Sequence, residues 1–161
     1  MTGRMIRRAS PEEAIAVAAY LDDWGMRLVA RLDALHDASS DDAIVAVDDS
    51  GTIVGLATYL ASGNDAELTT LRVSEPTAGV GTALVEAVVE AVAALGARRL
   101  WLITTNDNLD ALRFYQRRGF RLVEVRAGAV DRSRATIKPS IAETGEHDIP
   151  IRDEIVLERS I

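Results

Sequence analysis

The sequence predicts a mixed α/β fold, α+β in character: one domain over residues 1–161, with a central mixed sheet of six to seven strands and about four helices. Two observations predict it. Stretches whose apolar residues alternate, as in strands, are interleaved with stretches that repeat at the helical period. The front half reads as consecutive strands joined by tight turns, whereas the back half holds a strand–helix–strand crossover, which needs at least local parallel pairing.

Taken in order, Met5 to Ala9 is a short strand candidate. Ser10-Pro11-Glu12-Glu13 reads as a helix start: the hydroxyl can cap, proline suits the first helical position, and Glu13 can close a capping box. Ile15, Ala18 and Leu21 continue one face. Trp24, Leu28, Leu32 and Leu35 recur at helical spacing and predict a second helix to about His36, with Trp24 at the core edge and His36 at the helix end. Asp37 to Asp42 is a polar loop. Ala43 to Val47 and Thr52 to Ala61 are strands joined by the turn Asp48-Asp49-Ser50-Gly51. After the turn at Gly63-Asn64-Asp65, Ala66 to Val73 is the next strand, with Glu67, Thr69, Leu71 and Val73 on one face and Leu68, Thr70 and Arg72 on the other.

From Thr82 the pattern is helical, with Leu84, Val88, Ala91, Val92 and Leu95 as the apolar stripe and Gly96 as its stop. Arg99 to Thr105 is apolar on both faces and therefore central in a sheet. Asn108 to Arg118 is an amphipathic helix closed by Gly119, and its late arginines complement the negative end of the dipole. Arg121 to Arg126 and Asp153 to Glu158 are the last strands. Between them, Ala127 to Arg152 has no clear periodicity. A loop this long is commonly functional, and Arg132, Arg134, Lys138, Glu143, Glu146 and His147 are available in it, although a solvated loop explains each of them singly.

Composition narrows the function. A net charge of −7 argues against a nucleic-acid partner, which needs a basic stripe, and keeps the chain soluble while mildly favouring a cationic partner. With no cysteine there are no disulfides, thiolate nucleophiles or cysteine-bound zinc, and two distant histidines do not make a metal site. The N-terminus lacks the apolar core of a signal peptide, and the longest uncharged apolar runs, such as Ala91 to Ala97, are too short to span a bilayer. The expectation is a soluble cytoplasmic protein with no membrane and no metal.

Two segments carry chemistry. The strand ending at Val73 leads through Ser74-Glu75-Pro76-Thr77-Ala78-Gly79-Val80-Gly81 into a helix. Backbone N–H groups at such a helix start, beside the positive dipole end, form an anion site suited to a pyrophosphate. The turn lacks the third glycine of a dinucleotide fingerprint and the lysine of a P-loop. Downstream, Asn106 to Phe120 reads N-D-N-L-D-A-L-R-F-Y-Q-R-R-G-F.

Together these segments resemble the GNAT superfamily of N-acetyltransferases. Asn108, Ala111, Phe114, Tyr115, Gly119 and Phe120 match its second motif in register, and the likeness spans about Ala43 to Val125. The resemblance implies a GNAT-like fold with acetyl-CoA as cosubstrate. It also implies acetyl transfer to a primary amine of an unidentified small molecule or peptide by direct attack in a ternary complex, and it allows a homodimer. It further implies N–H donation to the pyrophosphate from Gly79, Val80, Gly81 and Thr82, main-chain pairing of Leu71 and Val73 with pantetheine, and a coenzyme contact from Asn108. Tyr115 takes the role of proton donor to the thiolate, and Glu67 that of general base. Pro76 stands where the family usually has Arg or Gln, and the turn is shorter than usual. Each assignment has a structural counterpart. Tyr115 can be a core tyrosine with a satisfied hydroxyl, Asn108 a helix cap, and Glu67 an exposed edge charge. Two other functions stay open, a non-catalytic acyl-CoA-binding module and a nucleotide-binding α/β domain, of which the latter leaves Asn108 to Phe120 unexplained.

Overall fold

The structure, a computed structural model, describes residues 3–75 and 79–161. Its strands are β1 (Met5–Arg8), β2 (Leu28–Arg31), β3 (Ala34–Asp37), β4 (Asp42–Val47), β5 (Ile53–Ser62), β6 (Asp65–Val73), β7 (Arg99–Thr105), β8 (Arg121–Arg126) and β9 (Glu154–Ser160). Its helices are α1 (Ala14–Asp23), α2 (Val80–Ala94), α3 (Leu109–Gln116) and α4 (Ala129–Thr136). Seven strands form a mixed sheet, as the sequence predicts, and their order is β1-β4-β5-β6-β7-β9-β8; β2 and β3 form a separate two-stranded sheet. Among the described residues no helix is long and apolar enough to cross a membrane.

The residues group into two compact units, one within Met1–Arg27 and Asp37–Leu100 together with Ile161, the other Leu28–His36 with Trp101–Ser160. In the first, β1, β4, β5 and β6 pair antiparallel in succession. The Asp48 carboxylate makes the turn between β4 and β5 by accepting from the Ser50 and Thr52 N–H groups and the Ser50 hydroxyl. Helix α2 buries Val80, Leu84, Val85, Val88, Ala91 and Val92. At about 1.5–3 kcal/mol for each large aliphatic side chain removed from water, that stripe is what holds the helix in place. The start of α1 is set as its sequence implies. A short 3-10 turn over Pro11–Glu13 precedes it, and the Glu13 carboxylate accepts from Ser10 N–H at 2.7 Å. The same carboxylate takes two hydrogen bonds from the Arg7 guanidinium. First that pairing and then the Ser10 bond hold Glu13 down to a pKa of about 2.

Three expectations are corrected. The predicted second helix, to about His36, is instead the hairpin β2–β3. Helix α1 stops at Asp23, Gly25 takes a positive φ of 64°, and Leu32 and Asp33 turn the chain at φ 51° and 59°. The leucines that imitate a helical stripe do not form a core: Leu28, Leu32 and Leu35 are all exposed. The hairpin is anchored instead from within the second unit, where Asp33 accepts from Arg126 Nη2 at 3.0 Å and Arg132 Nε at 3.3 Å, and Lys138 Nζ donates to the Leu28 carbonyl at 2.7 Å.

The second correction concerns β6. Its partners on β5 run Thr58↔Thr70 and then Tyr59↔Leu68, so Thr69 is the extra residue of a bulge. The strict alternation expected for Glu67, Thr69, Leu71 and Val73 is broken there, and Glu67 and Leu68 are both buried. Third, Ala127–Arg152 is not structureless, since it contains α4 and a 3-10 turn over Glu146–Asp148.

Candidate functional site

Each unit carries part of the predicted constellation. In the first, β6 ends at Val73, and Ser74 lies within 2.9 Å of the Tyr20 hydroxyl, which also faces the Arg72 carbonyl at 3.5 Å. Burial raises the Tyr20 pKa against the lowering effect of its Ser74 bond. Arg72 stacks on the Trp24 ring, its guanidinium carbon 3.8 Å from the ring centre. Sequence patterning marks neither Tyr20 nor Trp24 for a place at the end of this strand, because no local motif links them to it.

The Gly79 residue opens α2 as its N-cap, in the left-handed region at φ 89°, where a side chain would be strained. The first intrahelical bond joins Ala83 N–H to Gly79 C=O at 2.9 Å, so the N–H groups of Val80, Gly81 and Thr82 lie in the first turn, ahead of that ladder. This is the donor arrangement expected for an anion at a helix start. Pro76 lies outside the described residues. A cavity of about 290 Å³ beside Ser74 and Glu75 is lined also by Arg4, Asp48, Val54 and Val73. One arginine against two carboxylates does not suit a pyrophosphate there.

On β6, Glu67 is 5 % exposed, opposite Leu60. The exposed-edge explanation therefore fails: this is a buried carboxylate. Leu71 and Val73 are half-buried and pair with Ala57 and Gly55 of β5.

In the second unit, the segment from Asn106 folds as its sequence predicts. Asn108 is the N-cap of α3, its side-chain oxygen accepting from Ala111 N–H at 3.2 Å. Tyr115 is buried, with its ring edge-on to Phe114 (centroids 5.1 Å) and Phe120 (5.4 Å). Arg118 pins Phe114 in turn, lying 3.6 Å from its ring centre and donating to its carbonyl at 2.8 Å. The Tyr115 hydroxyl has no hydrogen-bond partner among the described residues, and burial alone pushes its pKa well above the ordinary tyrosine value. The satisfied-core explanation does not fit it. Its ring is held between two aromatic neighbours, and the raised pKa favours the protonated hydroxyl at neutral pH.

Two residues beside this helix carry no signal of their role in the sequence. Asn106 accepts from the Arg152 and Asp153 N–H groups and donates to the Pro150 carbonyl. Asp107, 5 % exposed, accepts from the Thr105 hydroxyl and from Glu146 N–H at 3.0 Å. Together with Arg134, which donates to the Ile141, Ala142 and Ile151 carbonyls, they shape the segment that looks featureless in sequence. The N-D-N triplet signals a cap, and only its last residue is one. Gly145 packs so closely on Asp107 that a Cβ would collide with its carboxylate. Gly145→Ala should therefore push Asp107 off Glu146 N–H and cost about 1–3 kcal/mol, the penalty of an unsatisfied buried polar group. Faster amide exchange at Glu146 and a lowered urea midpoint would register it. His147 lies with Asp110 and Glu146 in an exposed trio whose ligand-type atoms are within 4.8 Å of one another. Exposed acidic groups of this kind are common without an ion.

Residues 11–120 match the acetyltransferase (GNAT) family model. The chain is 38% identical over 142 residues to uncharacterized protein YdhI of Bacillus subtilis (strain 168), covering 88% of each. Its fold is similar to that of a GNAT family acetyltransferase from Elizabethkingia anophelis with acetyl-CoA bound, with a TM-score of 0.67, 18% identity and 98% of both chains covered. It is similar also to a Bacillus subtilis acetyltransferase in complex with CoA, with a TM-score of 0.66, 18% identity, 100% of this chain and 99% of that one covered.

Proposed function

The chain belongs to the acetyltransferase (GNAT) family, and on that premise we propose that it moves an acetyl group from acetyl-CoA to a primary amine of a small molecule or peptide, by direct attack, in the cytoplasm. The observation that carries this reading is Tyr115. A hydroxyl with no partner of its own, on a buried ring held by two aromatic neighbours and with its pKa raised by burial, is a proton donor that stays loaded at neutral pH.

The other parts follow from what each residue can offer. The N–H groups of Gly79, Val80, Gly81 and Thr82 would hold the coenzyme's pyrophosphate at the positive end of α2. The main chain of Leu71 and Val73 would pair with pantetheine as an added strand does, while Asn108 fixes α3 and touches the coenzyme. As the carbon–sulfur bond breaks, Tyr115 protonates the departing sulfur. The amine must be neutral to attack and must lose a proton afterwards, and Glu67 is a carboxylate at the position where some members of the family carry a base. No covalent enzyme intermediate is needed, so a chain without cysteine suffices.

Differential stabilisation tests the coenzyme half of this reading. A ligand at about 100 times its Kd adds about 2.7 kcal/mol, which in a chain of this size raises Tm by roughly 5–10 °C. That rise is expected with acetyl-CoA and not with ATP or NAD at the same concentration. The reverse preference would point to a nucleotide-binding domain and sink the reading.

A further inference from the structure

No step above uses a set of hydroxyls that runs through the β6 bulge to a carboxylate. Thr69 Oγ1 donates to Asp41 Oδ2 at 2.6 Å. Thr58 Oγ1 lies 2.6 Å from both Thr69 Oγ1 and Thr70 Oγ1. The bulge is the reason. An extra residue in β6 turns two consecutive hydroxyls toward the same partner on β5, which a regular strand would point to opposite faces.

Counting hydrogens gives the set a direction. An ionised carboxylate only accepts, so Thr69 commits its one proton to Asp41. The Thr58–Thr69 bond then needs Thr58 as donor, and the Thr58–Thr70 bond needs Thr70. Every proton thus points one way, Thr70 to Thr58 to Thr69 to Asp41. Thr58 is 0% exposed and Thr70 5%, whereas Thr69 and Asp41 are half-buried. Thr69 is therefore the least buried of the three threonines, and its own proton is already aimed at a carboxylate.

Resting on the acetyl-transfer reading, we propose that the proton leaving the acceptor amine passes through Thr69 to Asp41, with Thr58 and Thr70 as positioning residues. The nitrogen lone pair forms the new bond to the thioester carbonyl carbon, and the carbon–sulfur pair leaves with sulfur, which takes the Tyr115 proton. The proton on the amide-forming nitrogen moves to Thr69 Oγ1 while the Thr69 proton moves to Asp41 Oδ2. Thr69 ends as it began. Asp41 then releases its proton to water and Tyr115 takes one back, so that amine and acetyl-CoA have become amide and CoA thiol. In this relay Asp41 takes the place as proton acceptor that the acetyl-transfer reading gives to Glu67, a buried carboxylate on the same strand.

The test compares near-isosteric variants of the full chain, each with its Tm and its acetyl-CoA stabilisation recorded, against an amine that the wild type acetylates. Thr69→Val and Asp41→Asn should each lower kcat by about 100-fold, the lower end of what positioned proton transfer contributes, with KM for acetyl-CoA within about twofold. Thr69→Ser should restore most of the rate. Thr58→Val should lower kcat less, with recovery in Thr58→Ser, a pattern that loss of packing alone would not produce. A Thr69→Val enzyme within about threefold of wild type overturns the relay, as does a Thr69→Ser enzyme no better than Thr69→Val. A loss of about 100-fold in Glu67→Gln with Asp41→Asn unaffected also overturns it and returns the proton to Glu67. These results leave acetyl transfer standing, whereas absence of wild-type turnover with every amine removes both readings. If Thr69→Val does not fold, Asp41→Asn and Thr58→Val decide the matter by the same criteria.

Discussion

Replacing Tyr115 by Phe lowers kcat by about 100-fold or more, the range expected when a positioned proton donor is removed, while Tm changes by only a degree or two. The asymmetry follows from the environment. The hydroxyl has no hydrogen-bond partner among the described residues, so removing it breaks no bond, and the ring keeps its edge-on contacts with Phe114 and Phe120. A core tyrosine with a satisfied hydroxyl would behave in the opposite way, losing stability and sparing the rate. The pH dependence carries a sign as well. Burial raises the Tyr115 pKa above its unfolded value of about 10, so the neutral form is the folded form. Its contribution to stability is intact below about pH 10 and falls as pH rises beyond that, a loss that Tyr115→Phe should remove. Steady-state kinetics over the acetyl-CoA concentration range and urea unfolding at pH 7 and above pH 10 check both halves. A Tyr115→Phe enzyme with a wild-type kcat would take the proton donor out of the mechanism.

A loss of about 3–5 kcal/mol is expected for Arg126→Ala, large enough to lower Tm on the order of 10 °C. Arg126 Nε donates to Glu154 Oε2 at 3.1 Å and Nη2 to Asp33 Oδ2 at 3.0 Å. Glu154 is 2 % exposed, and its other oxygen, Oε1, is buried without a hydrogen-bond partner. Arg126 is therefore the cation that makes a buried carboxylate tolerable, and its removal strands that charge and releases the hairpin turn at Asp33. The double variant Arg126→Ala with Glu154→Gln should recover a large part of the loss, because the uncompensated charge is gone. If the double variant is as unstable as the single one, the cost lies in the Arg126 packing and not in the charge.

Local chemistry is the part of this molecule that the sequence makes legible. Strand β7 and strand β8 fall where periodicity puts them, and Asn108 caps α3 because an Asn before an amphipathic run has few better uses. The Gly79 turn also behaves as expected at its described end. The hairpin β2–β3 is illegible for a definite reason: its turn is Leu32-Asp33, without the glycine or asparagine that marks left-handed turns. It is held by Arg126, Arg132 and Lys138, about a hundred residues away in the chain. The β6 bulge is hidden for a related reason. Alternation is a property of one strand, whereas a bulge is a property of a pair, visible only once Thr58 is opposite Thr70. With that single extra residue, Glu67 passes from an open question at an edge to a buried position, and three threonine hydroxyls join in one set that ends on the Asp41 carboxylate through Thr69. The Ala127–Arg152 segment shows the same limit, since its order comes from Asn106, Asp107 and Arg134 binding backbone groups that carry no sequence signal.

Turnover itself is the most direct test. With acetyl-CoA held at saturation and a panel of amines (peptide N-termini, lysine, aminoglycosides and polyamines) supplied one at a time, released CoA thiol is measured together with the mass of the amine product. Thiol release in step with a product carrying one acetyl group on nitrogen is expected for at least one amine, greatly slowed in Tyr115→Phe. A chain that is stabilised by acetyl-CoA yet releases no thiol above background with any amine would contradict it and would leave a module that binds the coenzyme without using it.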